Sequence, residues 1–176
     1  MTKKMKPFVP QLTEMPPATM AVVHTVGDPT EMAPKAFPAL YGAGYGLKFE
    51  LKKAGGPEFK MTALRARGFI RPGGEAKPRD QWEAAWALEI PDGTTEVPQK
   101  KPEMPVVIER WEYGTVAQVL HVGTYAEEGP TIQLLDGFIA EQGYEIVGDH
   151  EEEYQSRPGA KSPKTIIRYR VRKREG

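Results

Sequence analysis

Apolar and polar positions alternate along this chain in two periods, and glycines and prolines mark where one gives way to the other. Thr19 to Val26 (TMAVVHTV) is a β-branched, apolar run that stops at Gly27, the pattern of a strand. Asp28-Pro29-Thr30-Glu31 then has the form of a helix start. Asp28 can cap, Pro29 suits the first helical position, and Glu31 sits where a capping box places an acid. Phe37, Leu40, Tyr41, Gly44, Leu47 and Leu51 recur at helical spacing; Pro34 and Pro38 make the beginning irregular, and Gly55-Gly56-Pro57 ends the helix. Phe59 to Ile70 and Trp82 to Ile90 predict two strands around a Pro/Gly-rich loop at 71–79.

Pro91, Pro98, Pro102 and Pro105 mark a connector over 92–105, after which the pattern restarts. Val106 to Tyr113 and Thr115 to Val122 predict a hairpin turning at Gly114. Glu128-Gly129-Pro130 opens a second helix with Ile132, Leu135, Phe138 and Ile139 inward and Gly143 as its stop. Tyr144 to Tyr154 and Thr165 to Val171 supply the last two strands. Ala21-Val22-Val23-His24-Thr25-Val26-Gly27 and Ala117-Gln118-Val119-Leu120-His121-Val122-Gly123 share four identities in seven, and the same order of elements follows each. The expectation is an α+β fold made of two tandem β-α-β-β modules, 18–91 and 106–176, behind an N-terminal extension at 1–17. A cleft between the modules is a natural place for a ligand.

Composition narrows the function. Twenty-four Lys and Arg balance twenty-four Asp and Glu, which argues against a protein that grips nucleic-acid phosphates. The chain has no cysteine, so disulfides and thiolate metal sites are excluded. His24, His121 and His150 lack the i,i+4 pairing of a helical metal motif, and neither a metal nor a cofactor is expected. No apolar run is long enough to span a membrane, and a cytoplasmic protein is expected. Neither Ser156 nor Ser162 lies in a Gly-x-Ser-x-Gly elbow.

The informative stretch is 144–154. At period two, one face carries Tyr144, Ile146, Gly148, His150, Glu152 and Tyr154, and the other Glu145, Val147, Asp149, Glu151 and Glu153, a solvated face. Glu152 alone among the acids points with the apolar residues. A carboxylate there loses hydration and needs a partner, water or a ligand. It is either the acid of a ligand site, or an edge residue paired with an arginine such as Arg168 or Arg170. The basic ending Arg168 to Arg174 reads as a solvated strand edge that pairs with the acidic face. Trp82 and Trp86 share a face of their strand, where either core packing or a ligand platform would use them.

His121-Val122-Gly123-Thr124-Tyr125-Ala126-Glu127-Glu128-Gly129-Pro130-Thr131-Ile132 resembles, almost letter for letter, a motif of the GyrI-like small-molecule-binding family. Glu152-x-Tyr154, Ser156-x-Pro158 and Lys164-Thr165-Ile166-Ile167-Arg168 resemble its ending. Leu40-Tyr41, Tyr45, Leu47-Lys48-Phe49, Phe59-Lys60 and Asp80-x-Trp82 match its first half. The resemblance implies tandem β-α-β-β (SHS2) modules and a cleft for lipophilic, flat, often cationic small molecules, in a monomer or weak homodimer. It implies Glu152 as the acid at the base of the cleft, Tyr154 as its strand partner, Tyr125 as the tyrosine of the Val-Gly-x-Tyr turn, and Trp82 as a cleft tryptophan. Trp86, His150 and Tyr45 complete the expected ligand-binding set. Similar stand-alone members hydrolyse the cyclopropane ring of DNA-alkylating compounds, which would make Glu152 and Tyr154 catalytic; others modulate gyrase. The hydrolase-like members carry Pro-Leu-Glu-Gly-Leu-Trp-Trp where this chain has Thr62 to Ile70, and a second tryptophan where it has Ala84. Binding tolerates those departures better than turnover does.

Overall fold

The computed structural model describes residues 4–68, 77–157 and 159–176. Eleven elements of regular structure build it: β1 (Gln11–Met15), β2 (Ala18–Val26), α1 (Pro29–Lys53), β3 (Arg65–Arg67), β4 (Glu83–Glu89), β5 (Val107–Trp111), β6 (Gly114–Val122), α2 (Glu128–Glu141), β7 (Tyr144–Ile146), β8 (Glu151–Tyr154) and β9 (Lys164–Lys173). Short 3-10 turns at Arg79–Gln81 and Tyr125–Glu127 precede β4 and α2. The strands form one antiparallel sheet in the order β1-β6-β9-β8-β3-β4-β2-β5, with β7 also on β9. This is the expected α+β architecture.

The strand order reads the same from either end if β1, β2, β3 and β4 correspond to β5, β6, β8 and β9. Pairing register supports that symmetry residue by residue. One row across the sheet runs Val23, Trp86, Ala66, Glu152, Ile167, Val119. Val23 and Val119 are equivalent in the repeated heptapeptide, so Ala66 is the first-half equivalent of Glu152. Gly27 and Gly123 close the two equivalent strands at φ of 146° and 141°, a conformation that favours glycine.

Both helices cover the face that carries this row. Leu40, Ala43 and Leu47 of α1 pack with Val23, Trp86 and Leu88. Ile132, Leu135 and Ile139 of α2 pack with Val119, Ile167, Tyr169 and Val171. Pro34 and Pro38 lie inside α1 without ending it, and Asp28 accepts from the Thr30 amide at its N-terminus, as the sequence suggests. The seam between α1 and α2 therefore runs above β3 and β8, where the two halves meet.

Four expectations need correction. Val106–Tyr113 and Thr115–Val122 do not form a hairpin with each other: β5 pairs with β2, and β6 with β1 and β9. Trp111 and Tyr113 pack with Met20, Val22, Ala87 and Val116, while β5 ends one side of the sheet and β6 lies next to the strand that ends the other. Gln11–Met15, read as part of an extension, is the strand β1 that occupies β6's margin. The strand expected over Phe59–Ile70 shortens to Arg65–Arg67. Its partner β8 is only four residues long, and Phe59 and Leu64 are buried under α1; Phe69, Ile70 and residues 71–76 of the loop lie outside the described residues. Tyr144–Tyr154 is two strands. Ile146 pairs with Val171 and Glu151 with Arg168, so residues 147–150 bulge opposite Tyr169 and Arg170. The extra length is even, so Ile146 and Glu152 keep a common face.

Candidate functional site

Glu152 lies on the helix-covered face at the seam between the halves. It is 6% exposed, with the methyl of Ala66 beside it on β3 and Ile167 beside it on β9. His150, in the bulge before β8, places its Nε2 2.8 Å from Glu152 Oε2, and its Nδ1 2.7 Å from the Tyr169 hydroxyl. Glu128, the first residue of α2, is 7% exposed and hydrogen-bonded to Glu152. Burial, then the charge of Glu152 and the bond between them, push the Glu128 carboxyl up to about 9. A helix N-terminus favours a carboxylate by about 0.3–1 kcal/mol, less than one pKa unit, and does not reverse that direction. That direction favours the protonated form of Glu128 beside Glu152.

Two tyrosines close this cluster. The Tyr154 hydroxyl donates to Glu152, and burial with the neighbouring acids holds it well above an ordinary phenol. Tyr125 meets Tyr154 edge-on, ring centroids 6.1 Å apart, yet is 61% exposed. Its hydroxyl is raised by partial burial and then by the charge of Glu152. The His-Val-Gly-x-Tyr motif explains how these groups are held. His121 is 1% exposed; its Nδ1 lies 2.7 Å from Thr131 Oγ1 on α2 and its Nε2 2.9 Å from the Thr124 carbonyl. That clamp fixes the turn carrying Tyr125 and the first turn of α2 carrying Glu128. A Cβ at Gly123 would collide with the Glu127 carboxylate.

Of the expected site residues, Glu152, Tyr154, Tyr125 and His150 come together. Trp86 shares their row but is core: it is 3% exposed, packed edge-on by Phe37 at 5.4 Å, and donates to Thr25 Oγ1 at 2.9 Å. Trp82 stands before β4, donating to the Lys77 carbonyl at 2.9 Å beneath the Arg79 guanidinium 4.8 Å away. Arg79 in turn holds Asp28, so this tryptophan clips the loop to the start of α1. Tyr45 is on α1, exposed and stacked on Tyr41 at 6.2 Å. Glu128 is the residue that pattern reading missed. Its signal was the Glu-Glu pair of the motif, of which only the second acid turns inward.

The opposite face corrects the expectation of a solvated acidic strand. Glu151 is 2% exposed and Arg168 4%. Glu151 accepts from Arg168 and from Arg67, each at 2.6 Å, and from the Tyr113 hydroxyl at 2.9 Å. Arg65 reaches Glu153 at 3.2 Å and Tyr113 at 3.0 Å. The charges do pair across strands, but inside the curl of the sheet, because β5 and the Tyr113 turn fold over them. A polar cavity of about 210 Å³ borders this network, lined by Arg67, Tyr113, Glu151, Arg168 and Arg170 among others. Arg168 thus answers Glu151 and Glu153, and the Glu152 carboxyl is met by Glu128, His150 and Tyr154.

The sequence pattern of the GyrI-like small molecule binding domain matches residues 8–172. No curated protein matches the chain. An uncharacterized conserved protein from Listeria innocua superposes with a TM-score of 0.81 at 28% identity, covering 94% of this chain and 93% of its own. A hydrolase from Listeria innocua superposes at 0.77 with 26% identity and the same coverage. The C-terminal domain of EcmrR shares the fold at 0.63 and 15% identity, over 94% of this chain and 98% of that one. None of the helices among the described residues is long and apolar enough to cross a membrane.

Proposed function

We propose, for a chain that belongs to the family of GyrI-like small molecule binding domains, that the seam between α1 and α2 takes a flat, lipophilic cation with Glu152 beneath it. The observation that carries this reading is the buried Glu128–Glu152 pair of acids beside the edge-on rings of Tyr125 and Tyr154. A desolvated carboxylate attracts an organic cation more strongly than an exposed one would, and aromatic faces favour the same charge. The turn that carries Tyr125 stays clamped, and its exposed side chain swings aside to admit the ligand.

N-methylacridinium and neutral acridine, titrated at pH 8 against wild type and Glu152→Gln, separate charge recognition from shape. Opposite unit charges about 4 Å apart attract by about 4 kcal/mol at an effective dielectric constant of about 20, part of which desolvation offsets, so the cation should weaken at least about tenfold in the variant. The neutral compound should bind equally well to both proteins. Equal losses for the two compounds would make Glu152 a structural residue.

A second reading is favoured by the similarity to a protein named as a hydrolase. In it, Glu152 accepts a proton from water as the oxygen attacks a cyclopropane carbon. The broken C–C bond's electron pair moves into the conjugated acceptor, whose oxygen Tyr154 or Tyr125 meets with a hydrogen bond. Ring strain supplies the driving force. A cyclopropane-bearing alkylator should then lose its conjugated absorbance and gain the mass of one water with wild type, and remain intact with Glu152→Gln.

A further inference from the structure

We infer that Glu128, His150 and Glu152 form a site for a divalent transition-metal ion of the zinc class. This goes beyond the organic-cation reading and does not depend on it. The three side chains come from separate places, the first turn of α2, the bulge before β8, and β8 itself. Each is more than nine-tenths buried, and one ligand atom from each lies within 4.8 Å of the other two. Zinc bonds to nitrogen and oxygen are about 2.0–2.2 Å long, so ligand atoms around one ion sit about 3.4 Å apart. Side-chain adjustments of about an ångström would bring all three to a common centre.

Three further features point the same way. Among the described residues, Glu128 Oε1 is buried without a hydrogen-bond partner, a costly state for a carboxyl oxygen that an ion would relieve. The Tyr169 hydroxyl holds His150 Nδ1 at 2.7 Å and so turns Nε2 toward the two carboxyls. That is the outer support metal-binding histidines ordinarily have. Two carboxylates and one imidazole also suit zinc, manganese or iron better than calcium or magnesium, which prefer all-oxygen shells. With the ion in place, the negative charge offered to an organic cation disappears, so the two occupants exclude each other.

The test uses the tag-free, metal-stripped full chain titrated with ZnCl₂, read by calorimetry and by the ring-nitrogen NMR signals of its three histidines. One ion per chain is expected, with the His150 signals shifting and those of His24 and His121 unmoved. Glu128→Gln should bind at least tenfold more weakly, since losing even an outer partner of a metal ligand costs that much. Glu127→Gln, its exposed neighbour, should bind as wild type does. Absence of saturable binding at millimolar ZnCl₂ would overturn the site. So would saturable binding that shifts exposed His24, beside Glu109, and leaves His150 unmoved. The histidine signals decide the matter in wild type even where a variant fails to fold, and no organic ligand is needed, so failure of cation binding leaves this result intact.

Discussion

At the scale of single residues, the two neighbours Glu151 and Glu152 show how one strand serves two purposes. Successive side chains point to opposite faces, so Glu151 enters the arginine network inside the curl while Glu152 enters the seam under the helices. The network's central ion pair, Glu151–Arg168, is buried. Removing one partner of such a pair leaves an uncompensated buried charge and costs about 3–5 kcal/mol. Arg168→Met should therefore lower unfolding free energy by about that much in urea titrations; a loss under about 1 kcal/mol would mean Glu151 is satisfied by Arg67 and Tyr113 alone. The sequence singled out Glu152 because alternation alone separates it from four other acids. It misjudged Glu151, because alternation says which residues share a face and nothing of what covers it. Glu128 was hidden for a related reason: its partners lie in β8 and the preceding bulge, and no local period links position 128 to 150 and 152.

At the scale of elements, capping and periodicity were legible and pairing was not. The Asp28-Pro29 start and the Gly-Pro stop bracket α1 correctly because these signals act within one turn of the chain. Strand partnership is a choice among distant segments, and the short polar run Gln11–Met15 carries no sign that it belongs beside Gln118. The start of α1 also yields a pH prediction. The Arg79 side chain, with the Thr30 amide, pulls the Asp28 carboxyl down to about 2 from 3.8. A depressed folded-state value means stability that is present above 3.8 and lost as pH falls through about 2. Asp28→Asn keeps the cap's acceptor and loses the ion pair. Wild type should thus be the more stable protein at neutral pH, and the gap between their denaturation midpoints should close as the medium is acidified from 3.8 toward 2. A gap independent of pH would show that the ion pair contributes nothing.

At the scale of the whole molecule, the strands that precede the two β-α-β-β units, β1 and β5, are exchanged between the halves. β1 completes the second half's sheet and β5 the first's, while Arg65–Glu153 and Arg67–Glu151 fasten the halves along β3 and β8. Unfolding should consequently be a single transition. Fluorescence of the three tryptophans, with Trp86 in the first core and Trp111 inside the curl, should track helix loss by circular dichroism. Two separated midpoints would show that the halves are independent despite the exchange. The β3–β8 pairing places an unequal pair, Ala66 and Glu152, at the symmetric centre, so an acid from one half meets only a methyl from the other. Ligand binding at that seam is tested most directly by a crystal structure with N-methylacridinium. The ring system is expected between α1 and α2, its charge over Glu152 and Tyr125 displaced from Tyr154. A ligand lodged instead in the polar cavity among Arg67, Arg168 and Arg170, with the Glu152 cluster unchanged, would contradict it.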